Sequence, residues 1–504
     1  MDRDVSGHLN AYSRAALVVR LPGDEADFNR PIGLFESSEY AVSHPRAKDQ
    51  AAVSANSSNR VEPDGAVFNC GGHVATMDWA PSQPGAHTLH LAVAAHPKDR
   101  QQNVIGRALE GPALLQIWRI GTGPPSLALG LCLQGGLAWD CKWQPSQAPP
   151  ASGLGLIAVA QGSGEVSLFD IPDPTEAILH PDKLRKGKGR ADSLSGTDRL
   201  VDLPLCASAG AGAISGSLVG CLEWLPSTPH DLLLGGCWDG TIACWRVGAL
   251  LASAGDLGSS AGPGQRSLQL LLHFPAADGP VRALAWAPAQ LAGTTSDSAH
   301  RHLVAAVGHT TYLRVWDLRD SFRPALQVDL PQRWRFSVQW LHDPAGLLIA
   351  EDCGALRWTS LDPFFRRERM PANSLFEGNN SGPIWSTHMQ PHGEQAFYAG
   401  DNGEVGMLHI ARGDRYVSAD AHHCLAGMRQ EEGRLRVLSA AEMTRRNGLF
   451  GRKGGDPASL KPSEQAILSI RCSQSVRDPQ AGIEYAWLAH GTAAGIVHIL
   501  HVNV

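Results

Sequence analysis

Val74-Ala-Thr-Met-Asp-Trp79-Ala-Pro81 is an apolar run that closes on a bulky side chain and then on proline, and the phrase recurs along the chain. Copies stand at Leu137 to Trp143 with Pro145, Val219 to Trp224 with Pro226, and Val281 to Trp286 with Pro288. Others stand at Phe336 to Trp340 with Pro344 and at Ile384 to Met389 with Pro391, and a degenerate seventh lies at Ile467 to Cys472. A phrase repeated in this way marks units that cannot bury their own apolar faces and must stack on one another.

Two more segments follow each opening run in register. The first is a short apolar strand, as in Leu89–Ala95, Gly155–Ala160 and His302–Val307, and it ends in a turn. The turns read Gln161-Gly-Ser-Gly164, Trp238-Asp-Gly240, Glu351-Asp-Cys-Gly354 and Asp401-Asn-Gly403, which supply the positive φ that tight hairpins require. The second segment alternates and ends on a large residue, as in Leu115-Gln-Ile-Trp118, Ile242-Ala-Cys-Trp245 and Leu313-Arg-Val-Trp316. Outer strands are expected at Leu127–Leu133, Leu200–Leu205, Leu268–Phe274 and Ala325–Leu330. Four short antiparallel strands per unit predict an all-β, seven-bladed β-propeller of WD40-like type. The last unit stops after its third strand, so Gly65–Cys70, just before the first unit, is expected to supply the missing outer strand and close the ring.

The length of 504 residues would suit about three domains, but a propeller grows by adding blades to one ring. The ring is expected over 61–504. The Trp residues that end the opening and third strands, among them Trp79, Trp143, Trp224, Trp286, Trp316 and Trp340, are expected to be inter-blade core. A net charge of −6 offers no global basic field for nucleic acid. Ten scattered Cys without a Cys-x-x-Cys pair suit a reducing intracellular compartment, and no stretch approaches the ~20 apolar residues of a membrane span. Residues 1–60 read as an N-terminal extension, with a strand at Ala15–Leu21 and a disordered stretch at Ser37–Arg60. Long loops are expected at about 172–198, 251–266 and 412–463.

The chemistry of catalysis finds little text. Gly187-Lys188-Gly189 lacks the spacing of a phosphate-binding loop, and His422-His423-Cys424 has no second cluster to complete a metal site. Propeller enzymes gather ionisable groups at the channel mouth, where the turns here offer only Asp239, Asp352, Asp401 and Glu351. The expectation is a protein that is not an enzyme, with no cofactor, no metal and no small-molecule substrate. Binding is better supported. Trp238 precedes a turn, and Arg333-Trp334-Arg335 precedes an opening run, so all four belong to the face of turns and blade connections. Aromatic and Arg side chains are the usual anchors of protein interfaces, although burial at a blade junction is an equal reading of Trp238. Two basic loops could meet phosphates or act as import signals. One carries Lys183, Arg185, Lys186, Lys188 and Arg190, the other Arg445, Arg446, Arg452 and Lys453, and a solvated loop is the plainer reading of both.

The most specific text is Leu91-Ala-Val-Ala-Ala-His96-Pro97, then Ile105-Gly106, Gly111 and Leu115-Gln-Ile-Trp118, after Phe68-Asn-Cys-Gly-Gly72 and Met77-Asp-Trp-Ala-Pro81. This passage resembles the general transcription factor 3C polypeptide 2 family, the propeller subunit of transcription factor IIIC. Asp320-x-x-Arg-Pro324 leading into Arg335-Phe336 and Trp340-Leu341 adds to the likeness. Only Trp316-Asp317 keeps the Trp-Asp ending of WD repeats, a divergence the family shares. The resemblance implies a non-catalytic nuclear scaffold supporting RNA polymerase III transcription of transfer RNA-type genes. Its partners would be the other transcription factor IIIC subunits, which would do most of the promoter DNA reading. The alternative is a generic WD-repeat adaptor of another complex, binding histones or peptides.

Overall fold

The computed structural model describes Tyr12, 16–22, 30–40, 65–82, 86, 88–97, 107–121, 123–145, 153–174, 199–203, 205–210, 216–247, 267–288, 301–330, 332–342, 345–361, 375–376, 382–390, 395–409, 422–431, 434–439, 442, 465–474, 476–477 and 484–503. These residues form seven sheets. Their innermost strands are Gly72–Trp79, Ala138–Trp143, Val219–Trp224, Val281–Trp286, Arg335–Leu341, Ile384–Met389 and Ile467–Cys472. Each of these strands packs beside the next in chain order, and the last returns to the first. The result is an all-β propeller around a central channel.

Six of the sheets are blades. The seventh is a larger, mixed sheet of seven strands, which departs from the expectation of seven like blades. Its first three strands, Ile384–Met389, Gln395–Gly400 and Glu404–His409, repeat the common hairpin pattern. The long loop expected over 412–463 then contains two strands, His422–Glu431 and Arg434–Ser439, joined as an antiparallel pair. Leu17–Arg20 adds to this pair in parallel through Val19↔Leu435, and Arg30–Ile32 adds to Leu17–Arg20. The alternation in Leu435-Arg-Val437 gives the pair one apolar face, which buries against Val19, Ile32 and Met428.

Ring closure follows the sequence expectation. Gly65–Asn69 pairs antiparallel with Ile496–Asn503, from Ile496↔Asn69 to Leu500↔Gly65. Ser37–Tyr40, expected to lie in a disordered stretch, is instead a strand that covers the outer edge of Gly65–Asn69. Leu200–Leu205 is also corrected. Leu200–Val201 runs parallel to Gly123–Leu133 in the first blade, and the second blade's outer strand is Ala207–Ala209. The loops expected at 172–198 and 251–266 lie almost wholly outside the described residues.

Three of the tryptophans that end the inner strands latch blade to blade. Trp224 Nε1 donates to the Lys142 carbonyl at 3.0 Å and Trp340 Nε1 to the Ala285 carbonyl at 2.8 Å, each on the preceding inner strand. Trp79 makes the same bond across the closure, to the Arg471 carbonyl at 3.2 Å. It is only partly buried there, whereas Trp143, Trp224, Trp286, Trp316 and Trp340 are buried as expected. One side chain further along, Asp140 ties three units together. It accepts from Thr76 Oγ1 and from the Leu222 N–H, both at 2.9 Å.

Candidate functional site

A β-bulge opens every inner strand. The ladder registers skip one residue in each, namely Ala75, Trp139 and Gly220, then Arg282, Phe336, Trp385 and Leu468. A bulge turns the extra residue out of the ladder and re-aims its side chain. Here all seven line a single cavity of about 420 Å³ at the channel mouth. The same sequence position in each repeat therefore sets the character of the site.

Aromatic side chains dominate it. Trp139 and Trp238 meet with ring centroids 4.8 Å apart, and Phe336 meets Trp385 at 4.7 Å. Trp334 stacks on His309 at 4.6 Å with the rings 16° from parallel. Gly220 makes room for one of these groups. A Cβ there would stand 2.3 Å from Trp238 Nε1, so the indole lies across the wall that the third blade leaves bare.

The turn carboxylates support these rings. Asp352 Oδ2 accepts from the Trp334 N–H at 3.3 Å, while the Asp352 N–H donates to the Trp334 carbonyl at 3.0 Å. Asp401 Oδ1 accepts from Trp385 Nε1 at 3.3 Å. Asp239 is engaged by Thr241, whose hydroxyl donates at 2.7 Å. Glu351 is fully buried, with Arg335 Nε at 3.4 Å and Arg357 Nε at 2.7 Å from its Oε1.

Four residues singled out in the sequence fall at or near this mouth, in different roles. Trp334 is 37% exposed and Arg333 beside it is exposed. Trp238 is buried to 8% exposure and lines the cavity. Arg335 is fully buried, and its guanidinium donates to the Thr310 and Arg333 carbonyls. It braces the Arg333–Trp334 backbone from below and presents no surface group. Lys183, Arg185, Lys186, Lys188, Arg190, Arg445, Arg446, Arg452 and Lys453 lie outside the described residues.

Sequence reasoning missed Trp139, Arg282, His309, Phe336 and Trp385. For Trp139, Arg282, Phe336 and Trp385 the available signal was the second residue of their inner strands, read across the repeats; His309 lies outside that pattern.

Burial sets the charge of the site. It lowers His73 and His309 to about 4, aided at His309 by the positive charge of Arg282, so both are neutral near pH 7. Arg282 is exposed to the channel, and desolvation by the surrounding channel wall lowers its pKa from the ordinary value. A guanidinium remains charged all the same. Deeper in the channel Lys142 is paired with Glu223 at 3.4 Å. Among the described residues no cluster of three or more His, Cys, Asp or Glu side chains could hold a metal ion. None of their helices is long and apolar enough to cross a membrane.

No protein-family model matches the chain. It is similar to General transcription factor 3C polypeptide 2 of Pongo abelii and of Homo sapiens, at 25% identity over 349 residues in each case. The match covers 63% of this chain and 35% of each relative, so the chain spans about a third of the length of the curated relatives it matches. This is a distant homology, and it agrees with the resemblance read from Phe68–Trp118.

Proposed function

We propose that the chain is a non-catalytic scaffold of a transcription factor IIIC-type assembly, acting in the nucleus in RNA polymerase III transcription of transfer RNA-type genes. The observation that carries this reading is the homology to General transcription factor 3C polypeptide 2 over 349 residues. The site supports it, because the turn carboxylates hold aromatic rings in place and do not converge on a reacting centre. In this reading the mixed sheet serves as the seventh blade, residues 61–504 act as one docking body, and the strands Leu17–Arg20, Arg30–Ile32 and Ser37–Tyr40 are laid on it. Other subunits dock on the aromatic mouth, with Arg333 and Trp334 at its rim. The basic loops at 183–190 and 445–453 add auxiliary phosphate contacts or import signals.

Affinity purification of the intact chain from nuclear extract tests the proposal. Large transcription factor IIIC subunits are expected among the co-purifying proteins. Histones or ubiquitin-ligase components in their place would overturn it in favour of a generic WD-repeat adaptor.

A further inference from the structure

Arg282 is the one bulged residue of the seven that carries a charge, and it has no ion-pair or hydrogen-bond partner for its guanidinium among the described residues. The other ionisable groups lining the cavity are accounted for. Asp140 accepts from Thr76, Cys141 and Leu222. Lys142 faces Glu223, and Arg471 donates to the Ile470 carbonyl at 2.8 Å and approaches Ser386 Oγ at 3.4 Å. His73 and His309 are held neutral. His96 contacts the Ala138 carbonyl through Nε2 at 2.7 Å. Among the described residues lining the cavity, Arg282 is therefore the cation without a protein partner, and it shares the cavity with Trp139, Trp238, Trp334, Phe336 and Trp385. Two of these rings, Trp139 and Trp238, also bury indole N–H groups that have no acceptor among the described residues. The Arg282 guanidinium is exposed to the channel, where a carboxylate brought by a partner can reach it and form charge-assisted hydrogen bonds.

We propose that the channel mouth is a receptor for a linear acidic peptide segment, with an Asp or Glu carboxylate on Arg282 and flanking apolar side chains against the surrounding aromatic rings. The cavity of about 420 Å³ suits a few side chains and lies within the ordinary range for small-ligand pockets. A nucleic-acid strand fits less well. Such strands need a track of several cations along the backbone, whereas the described residues of this mouth offer Arg282 in the cavity and Arg333 at the rim, in a chain of net charge −6. This assignment deepens the docking reading and rests on it. Its test uses peptides alone, so it can fail while co-purification succeeds, and the reverse.

A phage-displayed library of random dodecapeptides would be panned on the intact chain, and the selected peptides measured by fluorescence anisotropy. The selected sequences should share an Asp or Glu flanked by apolar residues. Arg282→Met should weaken them at least tenfold, with Arg282→Lys recovering part of the loss, while the outer-surface control Arg319→Ala should bind normally. Replacing the peptide's acidic residue by its amide should cost a similar factor and add little to Arg282→Met. Circular dichroism of Arg282→Met should match the parent, and Arg282→Lys provides the reading if it does not. Three results would overturn the proposal. One is the absence of an acidic consensus or of any binder, and another is equal binding by Arg282→Met. The third is tight, Arg282-dependent binding of a dT12 oligonucleotide in place of peptide.

Discussion

Gly220 and Trp238 show how closely single residues are matched in this ring. The third blade leaves its bulged position without a side chain, and the neighbouring indole takes the space. Trp286 occupies the latch position of the fourth blade, buried among Leu234, Val304 and Trp316. Trp286→Ala should destabilise the domain by about 3–5 kcal/mol, as large-to-small core changes do, and denaturant unfolding measures it. A loss under about 1 kcal/mol would contradict the packing. His490 and His498 form a second matched set. His498 Nδ1 lies 2.8 Å from His490 Nε2, and Tyr40 Oη lies 2.7 Å from His498 Nε2, with both imidazoles fully buried. Burial lowers His490 to about 3 and His498 well below its ordinary value. As pH falls below about 6.5 the unfolded chain gains protons that the folded ring refuses, so stability is full above that pH and is lost below it. The expected slope is about 1.4 kcal/mol per pH unit for each proton taken up. Melting temperatures recorded from pH 7.5 to 5 should fall, and a flat profile would count against the buried histidine pair.

Among the elements, the strand Gly65–Asn69 carries the most consequence. It completes the last blade and is itself covered by Ser37–Tyr40, leaving neither of its edges free in the described structure. Deleting Val61–Cys70 should lower the melting temperature of the whole ring in one cooperative transition, and unchanged thermal unfolding would refute the closure. The inner strands and the closing strand were legible in the sequence, because the phrase ending at Trp79, Trp143 and Trp224 carries its own punctuation and repeats. The mixed sheet was not. Val19↔Leu435 joins residues from opposite ends of the chain, and a parallel edge pairing of this kind leaves no local pattern. Ala207-Ser-Ala209 carries none of the β-branched or aromatic residues that announce a strand, so the stronger text at Leu200–Leu205 drew the assignment. The bulges escaped for a related reason. Val281-Arg-Ala-Leu reads as simple alternation, whereas the extra residue at Arg282 breaks the ladder and sends that side chain into the channel.

At the scale of the whole molecule, seven sheets around a channel place one variable residue per unit at a common mouth. The ring around that mouth is tied blade to blade by the Trp latches and by Asp140. The negative net charge favours partner proteins as its occupants over nucleic acid. The central claim is that this mouth is where the ring meets its assembly. Quantitative co-purification of transcription factor IIIC subunits with the parent chain and with Arg333→Ala/Trp334→Ala tests it most directly. Recovery of the large subunits should drop at least fivefold in the double variant at unchanged melting temperature. Full recovery with the double variant would contradict the account.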